Sequence, residues 1–187
     1  MKKLALKILA LTGVIVGGSV LLLPLSTYAD NTANVTVNVT VAATISLELN
    51  TNSVSSSSLT TNGTVIGTDS NGFYTTATVT TNSSTGYTLT LIDNDTNNAL
   101  VSSATNNIPA TASTTITAGT SAWGYRVGSN TNWLAVPIST GAAATIASSN
   151  SYSSSAQATK IYYGVASSSS QAAGTYTDTV VYTATVR

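Results

Sequence analysis

The chain has 187 residues, no cysteine and no histidine, and only 6% of it is charged. Six Lys and Arg balance six Asp and Glu, so there is no basic field to draw a nucleic acid. Without thiol or imidazole, Cys–His, Ser–His and thiolate–metal chemistries are excluded, and no disulfide can form.

The first stretch is MKKLALKILALTGVIVGGSVLLLPLSTYAD. Lys2, Lys3 and Lys7 precede an apolar run from Ile8 to Leu23, Pro24 breaks it, and Thr27-Tyr28-Ala29 puts small residues at −3 and −1 of a cleavage site. This is the plan of a bacterial secretory signal peptide spanning 1–29. The run is shorter than the roughly 20 residues that span a bilayer, so no membrane span is expected once the signal is removed. A lipoprotein would need a Cys at the cut, and a type IV pilin keeps its apolar segment. Residues 30–187 are then expected as a single exported domain, secreted or at the cell surface. It carries Arg126, Lys160 and Arg187 against six acids.

The first segment of that domain, NVTVNVTVAATISLEL, sets Val35, Val37, Val39, Val41, Ala43, Ile45, Leu47 and Leu49 in strict alternation with mostly polar residues. Period two predicts a strand with one face on a core. Its length predicts a bend near Ala42-Ala43. Further strands are expected at Phe73–Thr81, in GYTLTLI around Tyr87–Leu91, at Ala99–Ser102, in AWGYRV around Trp123–Val127, in KIYYGV around Ile161–Val165, and at Thr175–Val186. Thr114–Thr117, Trp133–Ile138 and Ala142–Ala147 carry weaker signals. Clusters of Ser, Asn and Gly separate the segments as turns require, and no helical period follows the signal. Eight to ten such strands predict an all-β, antiparallel β-sandwich of immunoglobulin-like or fimbrial-like Greek-key type. Val39, Ile45, Leu89, Val180 and Tyr182 are the expected core.

The last segment, AGTYTDTVVYTATVR at 173–187, resembles the closing strand of exported bacterial β-sandwich families, the spore coat U-like and fimbrial domains and the WxL-type wall-binding domains. The resemblance implies an exported surface sandwich. Trp123-Gly124-Tyr125 and Trp133-Leu134-Ala135 depart from the WxL pattern, and the disulfide frequent in usher-type fimbrial domains has no counterpart.

No catalytic residue is expected. Lys160 is the only amine beyond the signal that could activate a serine. The carboxylates Asp30, Glu48, Asp69, Asp93, Asp95 and Asp178 show no spacing that sets two across a cleft. Asp93-Asn94-Asp95-Thr96-Asn97-Asn98 matches the first five positions of a calcium loop, with Asp93, Asp95 and Asn97 as candidate ligands. It has Asn98 where glycine belongs and Ala104 where a bidentate Glu belongs, so no cofactor is expected and calcium should matter little. Trp123, Tyr125 and Trp133 are candidate stacking residues for a carbohydrate, set against ordinary core roles.

Two functions remain open. One is a non-catalytic structural or interaction protein of the cell surface. It would meet protein partners or its own copies through the terminal strands Val35–Val41 and Thr175–Val186, the first closing its own sheet beside the second or being donated to a neighbour. No sorting signal or apolar tail is seen behind Val186, so covalent wall attachment at that end is not expected. The alternative is a secreted ligand-binding module for carbohydrate or calcium.

Overall fold

The computed structural model describes residues 32–103 and 105–187, and the segment read as a signal peptide lies outside them. Thr40–Arg187 forms one compact unit. It holds ten strands: β1 (Ile45–Leu49), β2 (Thr64–Ile66), β3 (Tyr74–Thr81), β4 (Tyr87–Asp93), β5 (Leu100–Ser103), β6 (Asn106–Ile108), β7 (Ala122–Val127), β8 (Ala144–Ser149), β9 (Ser153–Ala166) and β10 (Val180–Val186). Among the described residues there is no helix, and so none long and apolar enough to cross a membrane.

The strands pair antiparallel throughout. In the larger sheet β1 pairs β3 and β3 pairs β9, while β2 and β7 both pair the C-terminal half of β9. The second sheet runs β10-β4-β8, and β5 with β6 forms a separate hairpin. Ala77 and Val79 from β3, Leu89 and Leu91 from β4, Trp123 and Tyr125 from β7, and Ile161, Tyr163 and Val165 from β9 meet in one apolar core. This is the two-layer arrangement of a β-sandwich, each strand giving alternate residues to the interior.

The outer face of β9 carries a smaller cluster, where Trp133 and Ile116 cover Tyr162 and Ala166. Gly164 makes it possible: a Cβ there would lie 2.8 Å from the Trp133 ring. The indole therefore lies flat on bare backbone. Gly86, at φ +82°, begins β4 from a left-handed conformation, and a Cβ on it would strike the carbonyl of Ser149.

Five expectations need correction. The first strand covers only Ile45–Leu49, and residues 32–44 are not strand. Val39, expected in the core, is exposed; Ile45, Val180 and Tyr182 are half-buried against the core, and Leu89 is fully buried. Asn82 stops β1 from extending backwards: its side chain accepts from the Thr44 amide at 2.6 Å and donates to the Ala42 carbonyl at 3.0 Å. These bonds use main-chain groups of the segment where the predicted bend falls. Thr114–Thr117 is not strand, and Trp133–Ile138 contributes only a bridge between Leu134 and Tyr125. The last strand begins at Val180 rather than Thr175.

Candidate functional site

The acidic loop is the most organised polar feature. Asp93 ends β4 on the buried face of the sheet. From there the backbone coils through successive Asx turns. Asp93 Oδ1 accepts from the Asp95 amide at 2.8 Å, Asp95 Oδ1 from the Asn97 amide at 2.6 Å, and Asn97 Oδ1 from the Ala99 amide at 3.3 Å. Neighbouring segments fix the coil. The Asp93 amide donates to Pro137 O at 2.8 Å and the Ser139 amide to Asp95 O at 2.7 Å. Asn98 donates through Nδ2 to Val136 O at 2.7 Å, and Trp123 Nε1 donates to Asn98 O at 2.8 Å.

This is not the loop of an EF-hand. Asn62 is the one non-glycine residue with positive φ among the described residues, so Asn98 does not make the left-handed turn that a glycine makes there. The position expected to lack a ligand, Ala104, lies outside the described residues.

A third acid arrives from a distant part of the chain. Asp178 precedes β10, where the Asn94 amide donates to Thr179 O at 2.9 Å and draws the two segments together. Its Oδ1 accepts from the Thr179 amide at 2.6 Å. Its carboxyl is close enough to Asp93 and Asp95 to feel the negative charge of both. Burial first, and then the negative charge of Asp93, push its pKa up to about 7 against the backbone bond from Thr179. Asp93 is only 1% exposed. Asp93 Oδ2 and Asp178 Oδ2 are both buried with no hydrogen-bond partner. A polar recess of about 220 Å³, lined by Asn94, Asp95, Asn97, Thr177, Asp178 and Thr179 among others, opens at Asp178. The sequence linked Asp93, Asp95 and Asn97 but missed Asp178. Its one signal was a lone acid interrupting the apolar face of the last strand.

Trp123, Tyr125 and Trp133 are not an exposed aromatic row. They are 3%, 2% and 7% exposed and belong to the two apolar clusters. Trp133 also lies under Arg126, whose guanidinium is 5.5 Å from its ring and 4.3 Å from that of Tyr162. Arg126 is itself satisfied by the carbonyls of Gly67, Gly128 and Asn130. Lys160 pairs with Asp69 at 2.8 Å, and Tyr162 donates to the same carboxylate at 2.6 Å. These bonds hold Asp69 below and Lys160 above their ordinary pKa values. Lys160 is therefore held as a cation rather than as a free base beside a serine.

The apolar surface lies elsewhere. Val35, Val37, Val39 and Val41 are 86%, 79%, 82% and 80% exposed, spaced every second residue. In the second sheet, among the described residues, β10 has only β4 as a neighbour and β8 likewise. The inward residues of β10, Val180, Tyr182 and Ala184, are only half-buried, whereas Leu89 and Leu91 of its partner β4 are fully buried. Tyr182 is anchored by its hydroxyl, 2.5 Å from that of Tyr163.

No protein-family model, curated protein or solved structure matches the chain.

Proposed function

We propose that the protein is a non-catalytic, exported structural or interaction protein of the bacterial surface, whose copies associate when the Val35–Val41 segment of one adds as a strand to an open sheet edge of another. The observation that carries this reading is the alternation of four exposed valines on backbone that forms no strand. Exposing valine at every second position costs roughly 1.5–3 kcal/mol per side chain relative to burial. The pattern is that of a strand with one buried face. The edge of β10 supports it from the other side, since its inward face is half-covered and its outer N–H and C=O groups have no neighbouring strand. Strand addition would satisfy those groups and place the valines beside Val180, Tyr182 and Ala184 on the same face of the sheet.

Export through cleavage after Ala29 is part of the proposal, and N-terminal sequencing of the surface or secreted protein should begin at Asp30. Association is tested by light scattering on the purified protein beside a variant lacking residues 30–42. The full protein should run as large species that resist mild detergent. The deletion variant should run as a folded monomer and should take up a synthetic peptide spanning Asn34–Thr44. A deletion variant with the same size distribution as the parent would remove the segment from any role in assembly.

A further inference from the structure

We propose that the recess between the Asp93–Asn97 coil and the start of β10 is a calcium site built on the carboxylates of Asp93 and Asp178, which the β10–β4 register brings near each other. The central observation is a pair of buried acceptors with nothing to accept. Asp93 is 1% exposed, and its Oδ2 and that of Asp178 have no donor. A buried carboxylate oxygen without a partner is costly, and two such acids close in space add repulsion. Something positive belongs between them.

A hard divalent cation fits the surroundings better than a shared proton. Each Asx turn occupies only the Oδ1 of Asp93 and of Asp95, leaving the second oxygen of each acid for a metal. The neighbouring recess is lined by Asn94, Asn97, Thr177 and Thr179, residues that carry further oxygens. A carboxylic acid pair sharing a proton needs neither a recess nor a third acid at its rim. Among the described residues no group of three or more acidic side chains is placed to hold a metal ion by itself. The two central carboxylates would therefore be completed by amide and hydroxyl oxygens and by water entering through the recess. That mixed shell suits calcium, which accepts 6–8 oxygens in flexible geometry, over magnesium, which demands a strict octahedron. The expectation that calcium matters little considered the Asp93 loop alone; Asp178 supplies a second full carboxylate from 85 residues further along the chain.

The test is calorimetric titration of the chelator-treated purified protein with CaCl2 at pH 7.5, with melting temperatures recorded in parallel. One saturable site is expected, with an affinity of about millimolar or tighter, and a melting temperature that rises with CaCl2 but not with NaCl of equal ionic strength. Asp178→Asn should weaken binding by about tenfold or more and abolish the calcium-dependent shift, because it removes one of two central charges. MgCl2 should give the smaller response. Should Asp178→Asn fail to fold, the parent titration decides alone. No saturable heat, or a melting temperature moved equally by CaCl2 and NaCl, would mean that the acids share only a proton, and would overturn the proposal.

Discussion

Leu89 and Leu91 have no exposed surface and sit on the middle strand of the smaller sheet. Leu89→Ala should cost about 2–5 kcal/mol, through lost burial and the cavity left behind, read as a lower denaturant midpoint at unchanged slope. Val180 stands directly across from Asp93 in the β10–β4 register. Val180→Asp would place a further carboxylate beside Asp93 on the inward face and should cost about 1–3 kcal/mol even though the site is only half-buried. A Val180→Asp melting curve matching the parent's would show that this face does not point inward. Asp178 gives a pH dependence. Its folded pKa, about 7, lies above the value of an unfolded aspartate, because burial and Asp93 disfavour its charge. The resulting stability is fully present below about pH 4 and is lost as the pH rises through about 7. Asp93 and Asp95 are the acids facing it. In chelator-containing buffer the denaturant midpoint should therefore decline across that window in the parent, and the part of the decline owed to Asp178 should vanish in Asp178→Asn.

At the scale of elements, period two locates a strand when one face is apolar, and that is where the sequence was legible. YTLTLI, AWGYRV and KIYYGV became β4, β7 and the C-terminal part of β9 because their alternation reports burial directly. Ser153–Thr159 of β9 gave no such signal. Those residues are mostly polar, and they are strand because β3 pairs with them, as in Ala77 with Thr159 and Val79 with Gln157. β2, three residues long, is held in the same way by β9, about 100 residues further along the chain, whereas the equally short β6 is held by its hairpin neighbour β5. The opposite error is more informative. Val35–Val41 has the clearest alternation in the chain and is not strand, since alternation marks an apolar face while a strand also needs a neighbour to bond its backbone. The acidic loop was legible as a local motif, but its partner Asp178 was not, because only the β10–β4 register joins them. A prediction separates the two valine sets. Val39→Asp should leave the stability of the monomeric unit within about 0.5 kcal/mol, as expected of an exposed residue, while reducing the size of the assembled species. Val79→Asp, from the core face of β3, should unfold the unit outright.

For the whole molecule, a cysteine-free chain has no disulfide to support its packing and backbone pairing, and an unfilled sheet edge is then both a liability and a means of growth. If copies join by strand addition, each junction adds main-chain hydrogen bonds and buries apolar side chains at once, so the assembled form should be far more resistant to denaturant than the isolated unit. The most direct measurement is amide hydrogen exchange across Asn34–Val41, compared between the assembled protein and the monomer obtained at high dilution or in denaturant just below the unfolding transition. The account predicts strong protection of these amides in the assembly and free exchange in the monomer, with new protection along Val180–Val186 appearing in parallel. Amides of Asn34–Val41 that exchange freely in both states would contradict it.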